Sequence, residues 1–124
     1  MYLPTLKNAR PVYRYQFGSY IGVVVTDCES VGMIDYTHVL FVFEAGQQQP
    51  MFAVASEMSA VMLSHNPNSR FLGVFDGHGH GNYGLSEDWL DLDKFTAKAL
   101  EIAAAHFKVE EAPIRLPFAD PRLN

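Results

Sequence analysis

The amino-acid sequence predicts an α+β fold in which two helices pack on a single antiparallel sheet of four to five strands. The first half of the chain has short apolar runs separated by turn residues, which is typical of a β-meander. The strongest helical pattern lies after residue 90. Because strands and helices fall in separate parts of the chain and do not alternate, the order favours α+β over a doubly wound α/β fold.

The predicted strands are apolar or alternating runs bounded by turn residues, namely residues 12–17, 20–26, 36–44, 51–55 and 71–75. The first two are separated only by Gly18 and Ser19, and a two-residue connection that starts with glycine is typical of a type II′ hairpin turn. Residues 27–35 contain acidic residues, Ser30 and Gly32 and are predicted as a loop. Consecutive hairpins of this kind predict a meander.

Two helices are predicted after the fourth strand. Ser56 is placed to cap a short helix over residues 57–65, and Glu57 would interact favourably with its dipole. In an alternative interpretation, Glu57 is a buried acid at the junction of sheet and helix. Asp91 is placed to cap a long helix over residues 92–107, whose apolar side chains recur at helical spacing.

The length of 124 residues suits one domain, residues 1–124, with a core large enough to need no disulfide. Its ends are predicted as extended arms. The N-terminal arm, residues 1–11, contains two prolines and has no hydrophobic period, and the C-terminal arm, residues 110–124, contains three prolines. The arms are expected to run over the surface or onto a partner.

The second and third predicted strands are apolar on both faces, whereas a strand with one wet face should alternate. Two helices can cover only one face of the sheet. The other face must be covered by the terminal arms, by a second copy of the chain in a homodimer, or by a small-molecule ligand. Self-association through the sheet face or the terminal arms is therefore one expectation, and the identity of any small-molecule ligand stays open.

Composition excludes several classes of function. Apolar residues make up 48% of the chain, which excludes a disordered protein. The net charge of −5 and the scattered basic residues argue against nucleic-acid binding. No apolar run is long enough to span a membrane. Cys28 is the single cysteine, which excludes an intramolecular disulfide and favours a reducing compartment, so the chain is expected to be soluble and cytoplasmic.

The most distinctive segment is a glycine-rich loop after the fifth strand. It contains Asp76, His78 and His80, which are separated by single glycines. If this segment is extended, the three side chains project from the same side, because side chains alternate along a strand. Two imidazoles and a carboxylate are suitable ligands for zinc, iron or manganese, so one hypothesis is a divalent-metal site. The alternative is an ordinary glycine-rich turn without a ligand.

Residues 71–79, F-L-G-V-F-D-G-H-G, resemble a motif of the metal-dependent serine/threonine protein phosphatases, where Val-Phe/Tyr-Asp-Gly-His-Gly-Gly follows a strand. The resemblance implies that Asp76 and the carbonyl of Gly77 help to bind a pair of Mg²⁺ or Mn²⁺ ions that activate water. This chain departs from the family in that His80 replaces the last glycine. The family's domain is also much longer, and its further aspartates lie in contexts that this chain lacks.

No complete catalytic constellation, nucleotide-binding loop or basic patch accompanies this loop. Cys28 is flanked by Asp27 and Glu29, which disfavour a reactive thiolate. The leading expectation is therefore a small binding or interaction module without catalysis of its own, with a homodimer as one form. The alternative is a metal-dependent hydrolase or metal-binding protein that uses Asp76, His78 and His80.

Overall fold

The structure is a computed structural model that describes residues 3–117, in which seven strands form one antiparallel sheet. The strands are β1 (Leu6–Phe17), β2 (Tyr20–Ser30), β3 (Ile34–Glu44), β4 (Phe52–Ser59), β5 (Arg70–Phe75), β6 (His80–Ser86) and β7 (Ile114–Leu116). The helices are α1 (Ala60–Leu63) and α2 (Leu92–Phe107), and a 3-10 turn, Glu87–Leu90, precedes α2. The spatial order is β6-β5-β4-β3-β2-β1-β7. The α+β prediction is confirmed.

The predicted sheet of four to five strands was wrong, because the described chain has seven. β1 begins at Leu6, inside the predicted N-terminal arm, and its register with β2 shifts three times before Tyr13. β6 lies in the glycine-rich segment, and β7 pairs with Arg14–Gln16 of β1. Glycine and proline obscured these strands, since both residues are depleted in strand interiors and indicate turns.

The predicted short helix is present, but it is shorter than the predicted range of residues 57–65 and begins later, at Ala60. β4 continues to Ser59, and α1 is a single turn. Residues 56–58 are buried, and residues 56 and 57 pair with both β3 and β5, so pairing with neighbouring strands overrides the local helical spacing. The burial of Glu57 in the alternative interpretation is confirmed, with 5% of its surface exposed, but the residue lies within β4 and not at a junction of sheet and helix.

The long helix predicted over residues 92–107 is confirmed as α2. Asp91 caps it by accepting a hydrogen bond from the backbone N–H of Lys94 at 3.0 Å, and Lys108 ends it in the left-handed conformation. The predicted hairpin turn between β1 and β2 has Gly18 at φ +58°, as the first position of a type II′ turn requires. Within residues 3–117, no helix is both long and apolar enough to cross a membrane.

α2 covers one face of the sheet, which we call the helix face. The core on the helix face combines apolar side chains from five strands with the buried side of α2, including Phe17, Val24, Leu40, Val54, Leu72, Phe95, Ala99 and Ala103. His38 joins the segment before α2 to this face by a hydrogen bond. Its Nε2 lies 2.9 Å from the carbonyl oxygen of Leu90, and its Nδ1 lies 2.8 Å from the hydroxyl of Thr26 on β2. The carbonyl can only accept, so Nε2 of His38 is the donor in this hydrogen bond.

The face of the sheet away from α2, the opposite face, has its own apolar cluster. Its buried members are Val25, Tyr36, Val39, Ala53, Ala55 and Phe75. Leu3, Leu6, Ala9 and Cys28, which come from the N-terminal segment and the far half of β2, pack against them. The opposite face is therefore covered in part by the start of the chain itself, and Glu57 and Gly73 lie on it.

Candidate functional site

The segment that was predicted to bind metal forms the turn between β5 and β6. One carboxylate oxygen of Asp76 accepts hydrogen bonds from the backbone N–H groups of His78 and Gly79 at 2.9 and 2.8 Å. Both hydrogen bonds lower the pKa of the exposed Asp76, and the bond from His78 has the larger effect. Gly77 has φ +91°, a backbone conformation that favours glycine in a turn. Asp76 therefore closes the turn.

His80, the first residue of β6, contacts a residue two strands away. Its Nε2 lies 2.6 Å from Oε1 of Glu57 on β4, so the contact passes over the intervening strand β5. The imidazole also stacks on the ring of Phe75, with 4.3 Å between ring centroids and 7° between planes. The carboxylate and the aromatic ring together hold the imidazole in one orientation.

Gly73 of β5 makes this contact possible. It pairs with Ala55 of β4 and lies directly beneath the Glu57 and His80 side chains. A Cβ atom at this position would stand 2.1 Å from Oε1 of Glu57 and 2.8 Å from Nε2 of His80. Any larger residue would therefore push the carboxylate and the imidazole away from their present positions.

Glu57 is unusual because its carboxylate is buried and only half satisfied. Its side chain is 7% exposed, and Oε2 has no hydrogen-bond partner among the described residues. Burial raises the pKa of Glu57, and the neighbouring His80 opposes that effect. A buried polar atom without a partner costs about 1–3 kcal/mol, so the half-satisfied carboxylate of Glu57 lowers the stability of the fold.

The structure gives the three predicted ligands different roles. Asp76 caps the turn, His80 contacts Glu57, and His78 is exposed. In the part of the chain that the structure describes, no three His, Cys, Asp or Glu side chains are grouped so that they could hold a metal ion. The metal site stays a prediction. The predicted metal site did not include Glu57, which the sequence marks as an acidic residue inside an otherwise apolar run.

A second candidate site is an apolar surface at one end of the sheet, which we call the apolar tip. It consists of Val31 and Met33 in the β2–β3 connection and Val61 and Met62 in α1. These side chains are 62%, 67%, 66% and 46% exposed, respectively. The two segments are adjacent, because the backbone N–H of Ala60 donates to the carbonyl oxygen of Met33 at 2.8 Å.

A shallow cavity of about 340 Å³ lies beside the tip. Leu3, Thr5, Ile34 and Tyr36 line it together with Val31–Met33. Apolar groups that are exposed singly are common, but groups that lie together beside a concave surface mark contact sites. The tip contains four of the seven large apolar side chains that are exposed in residues 3–117.

The cysteine is unsuited to nucleophilic chemistry. Cys28 is partly buried against the opposite face, and burial, followed by the charges of Asp27 and Asp35, raises its pKa to about 11. The reactive form of cysteine is the thiolate, which is scarce near neutral pH at such a pKa.

Compared with known proteins, the chain matches no protein family, no curated protein and no solved structure. The resemblance to the phosphatases therefore rests on residues 71–79 alone. In those residues the carboxylate of Asp76 is engaged by the turn.

Proposed function

We propose that this chain is a binding or interaction module without catalysis of its own, and that the apolar tip is its contact surface. The observation that supports the proposal is the concentration of exposed apolar side chains at this end, with Met33 and Val61 each about two-thirds exposed. Methionine suits such a surface, because its flexible side chain adapts to a partner.

The partner we propose is a second copy of the chain. In a two-fold interface each copy presents the same patch, so an apolar tip meets an apolar tip. Burying a large apolar side chain completely contributes about 1.5–3 kcal/mol, and the tip offers four of them. The cavity beside the tip is lined in part by Leu3 of the predicted N-terminal arm, so this proposal extends the expectation of self-association through the terminal arms.

Sedimentation velocity over a range of micromolar concentrations tests the proposal. The unmodified chain should form dimers, and a variant with Met33→Glu and Val61→Glu should stay monomeric, because each copy would bring two charges into the interface. Ile114→Glu is the matched control, since Ile114 is 64% exposed on β7 and pairs with Gln16 near the β1–β2 turn, at the opposite end of β2 from the tip.

A chain that remains monomeric at the highest concentration would exclude a second copy as the partner. Equal loss of dimer in Ile114→Glu and in the tip variant would place the interface elsewhere. Circular dichroism of all three proteins separates a lost interface from a lost fold.

We propose the cytoplasm as the compartment of this module. The support is Cys28, the single cysteine, which can form no intramolecular disulfide and so favours a reducing compartment.

A metal-dependent hydrolase or metal-binding protein is the second candidate, and the contact between Glu57 and His80 favours it. A histidine that binds metal through one ring nitrogen commonly has a carboxylate at the other, and Glu57 occupies that place at 2.6 Å. His78 and Asp76 would be the nearest further ligands in the chain.

Elemental analysis of untagged protein tests this candidate, because stoichiometric metal should be present and should disappear when His78 and His80 are changed to alanine. Metal-free protein would exclude it.

A further inference from the structure

A groove runs along α2 on the side that faces β1 and β7, and we call it the α2–β7 groove. It consists of two adjoining cavities of about 350 and 470 Å³, which share Tyr15, Ala97 and Leu100 as lining residues. Cavities of this size suit small-molecule ligands. The groove shares no lining residue with the cavity at the apolar tip and none with the β5–β6 turn.

One end of the groove presents a fixed positive charge. The guanidinium of Arg115 lies over the ring of Tyr13, 4.1 Å from its centroid, and Nη2 donates a hydrogen bond to the hydroxyl of Tyr15 at 3.0 Å. Stacking on one tyrosine and bonding to another hold the guanidinium in place. Arg115 forms no ion pair with any carboxylate in residues 3–117. Among the described residues, therefore, no carboxylate occupies the guanidinium directly.

The other end of the groove is apolar. Ala97 and Ala104 of α2 line it with Leu100 between them, and Pro113 closes the side next to β7. Three of these four residues are small or cyclic, which leaves room for an aliphatic or aromatic group. A ligand that spans the groove would thus meet a cation at one end and apolar surface at the other.

Two carboxylates on the rim limit the charge of such a ligand. Asp93 accepts a hydrogen bond from the hydroxyl of Tyr13 at 3.0 Å, and Glu101 lies 3.6 Å from the ammonium of Lys98. Both side chains line the groove. They would repel a multiply charged anion such as a phosphate dianion, so a single negative charge fits best.

We infer that the α2–β7 groove binds a small organic carboxylate with an apolar tail. The carboxylate pairs with the planar guanidinium of Arg115, whose donors match the two oxygens of a carboxylate. The tail lies along Ala97, Leu100 and Ala104 and removes apolar surface from water. This site is independent of the apolar tip, so the two proposals stand or fall separately.

Titration with octanoate, followed by NMR of the labelled protein, tests the inference. The methyl signals of Ala97, Leu100 and Ala104 should shift in a saturable way, and those of Val31 and Val61 at the tip should not. Octan-1-ol lacks the charge and inorganic phosphate lacks the apolar tail, so each should bind at least about tenfold more weakly than octanoate.

Arg115→Gln should weaken octanoate binding about tenfold or more and leave octan-1-ol binding unchanged. Arg14→Gln is the matched control, since Arg14 is exposed on β1, pairs with Leu116 and does not line the groove. Its octanoate affinity should equal that of the unmodified chain. Ala104→Leu, a change that α2 tolerates, should fill the apolar end and abolish binding.

Three results would overturn the inference. They are the absence of saturable shifts in the groove at millimolar octanoate, equal affinity for octanoate and octan-1-ol, and equal effects of Arg115→Gln and Arg14→Gln. Amide spectra of the variants before titration establish that each is folded, so a loss of binding is attributable to the groove.

Discussion

Replacement of Gly73 by alanine tests the contact between Glu57 and His80 most directly. The new methyl group would stand 2.1 Å from Oε1 of Glu57, 2.6 Å from its Cδ and 2.8 Å from Nε2 of His80. These separations are far below contact distance. Because Gly73 is buried and paired within the sheet, we expect the side chains to move and the backbone of β5 to stay in place.

The expected cost follows from two terms. Overpacking of a well-filled site costs about 1–3 kcal/mol, and a hydrogen bond to a charged group contributes about 1.5–3 kcal/mol. The two overlap, since moving the carboxylate relieves the clash while it breaks the bond. We therefore expect Gly73→Ala to lower the free energy of unfolding by about 2–3 kcal/mol.

Urea denaturation followed by the fluorescence of Trp89, the single tryptophan, measures this change. Gly81→Ala in β6 is the control, because a Cβ there meets nothing within 4 Å, and its effect should stay within about 0.5 kcal/mol. In a Glu57→Ala background the obstructing carboxylate is gone, so Gly73→Ala should cost clearly less. If the two substitutions are additive, the reasoning is refuted.

Three further predictions concern single side chains. Burial raises the pKa of Glu57, so ionisation of this side chain destabilises the fold. The free energy of unfolding should therefore fall as the pH rises from about 4.3, the ordinary pKa of glutamate, through the pKa of Glu57 in the folded chain. Glu57→Gln should remove that fall, and parallel pH profiles of the unfolding free energy for both proteins would contradict this. Asp76 has a lowered pKa, so its stabilising effect should be present above the ordinary aspartate range and be lost in acid. Asp76→Asn keeps the acceptor and should melt close to the unmodified chain, whereas Asp76→Ala should melt lower; the reverse order would exclude the capping role. Cys28, with a pKa of about 11, should react with iodoacetamide at pH 7.5 at least about tenfold more slowly than a free thiol, and a rate equal to that of glutathione would show that the thiol is not shielded.

Sequence reasoning located α2 correctly because its signals are local. The cap at Asp91 and the repeating apolar positions lie within the helix itself. The end of β4 was predicted wrongly because the contacts that determine it are not local. Met58, Val61 and Met62 recur at helical spacing, but Met58 is buried in β4 and pairs with Asp35 of β3, and no local pattern reports the presence of that strand.

The candidate sites depend even more on contacts between distant residues. His80 was identified as functionally interesting for its neighbours in sequence, whereas its actual partner, Glu57, lies 23 residues earlier on another strand. The α2–β7 groove brings together Tyr13, Asp93 and Arg115, which no spacing rule connects. The predicted metal ligands were close in sequence, and the turn that joins them uses the carboxylate of Asp76 for its own backbone.

The strand order also has a consequence for how the chain folds. Six strands are neighbours in the sheet in the same order as in the sequence, so each can form by closing a short hairpin. β7 is different, because the contact between Arg115 and Tyr15 joins residues 100 positions apart. Closing so large a loop carries a higher entropic cost, so we expect the meander to form first and β7 to dock last. A nascent chain that ends before Pro113 would therefore carry an assembled meander whose α2–β7 groove still lacks its cation.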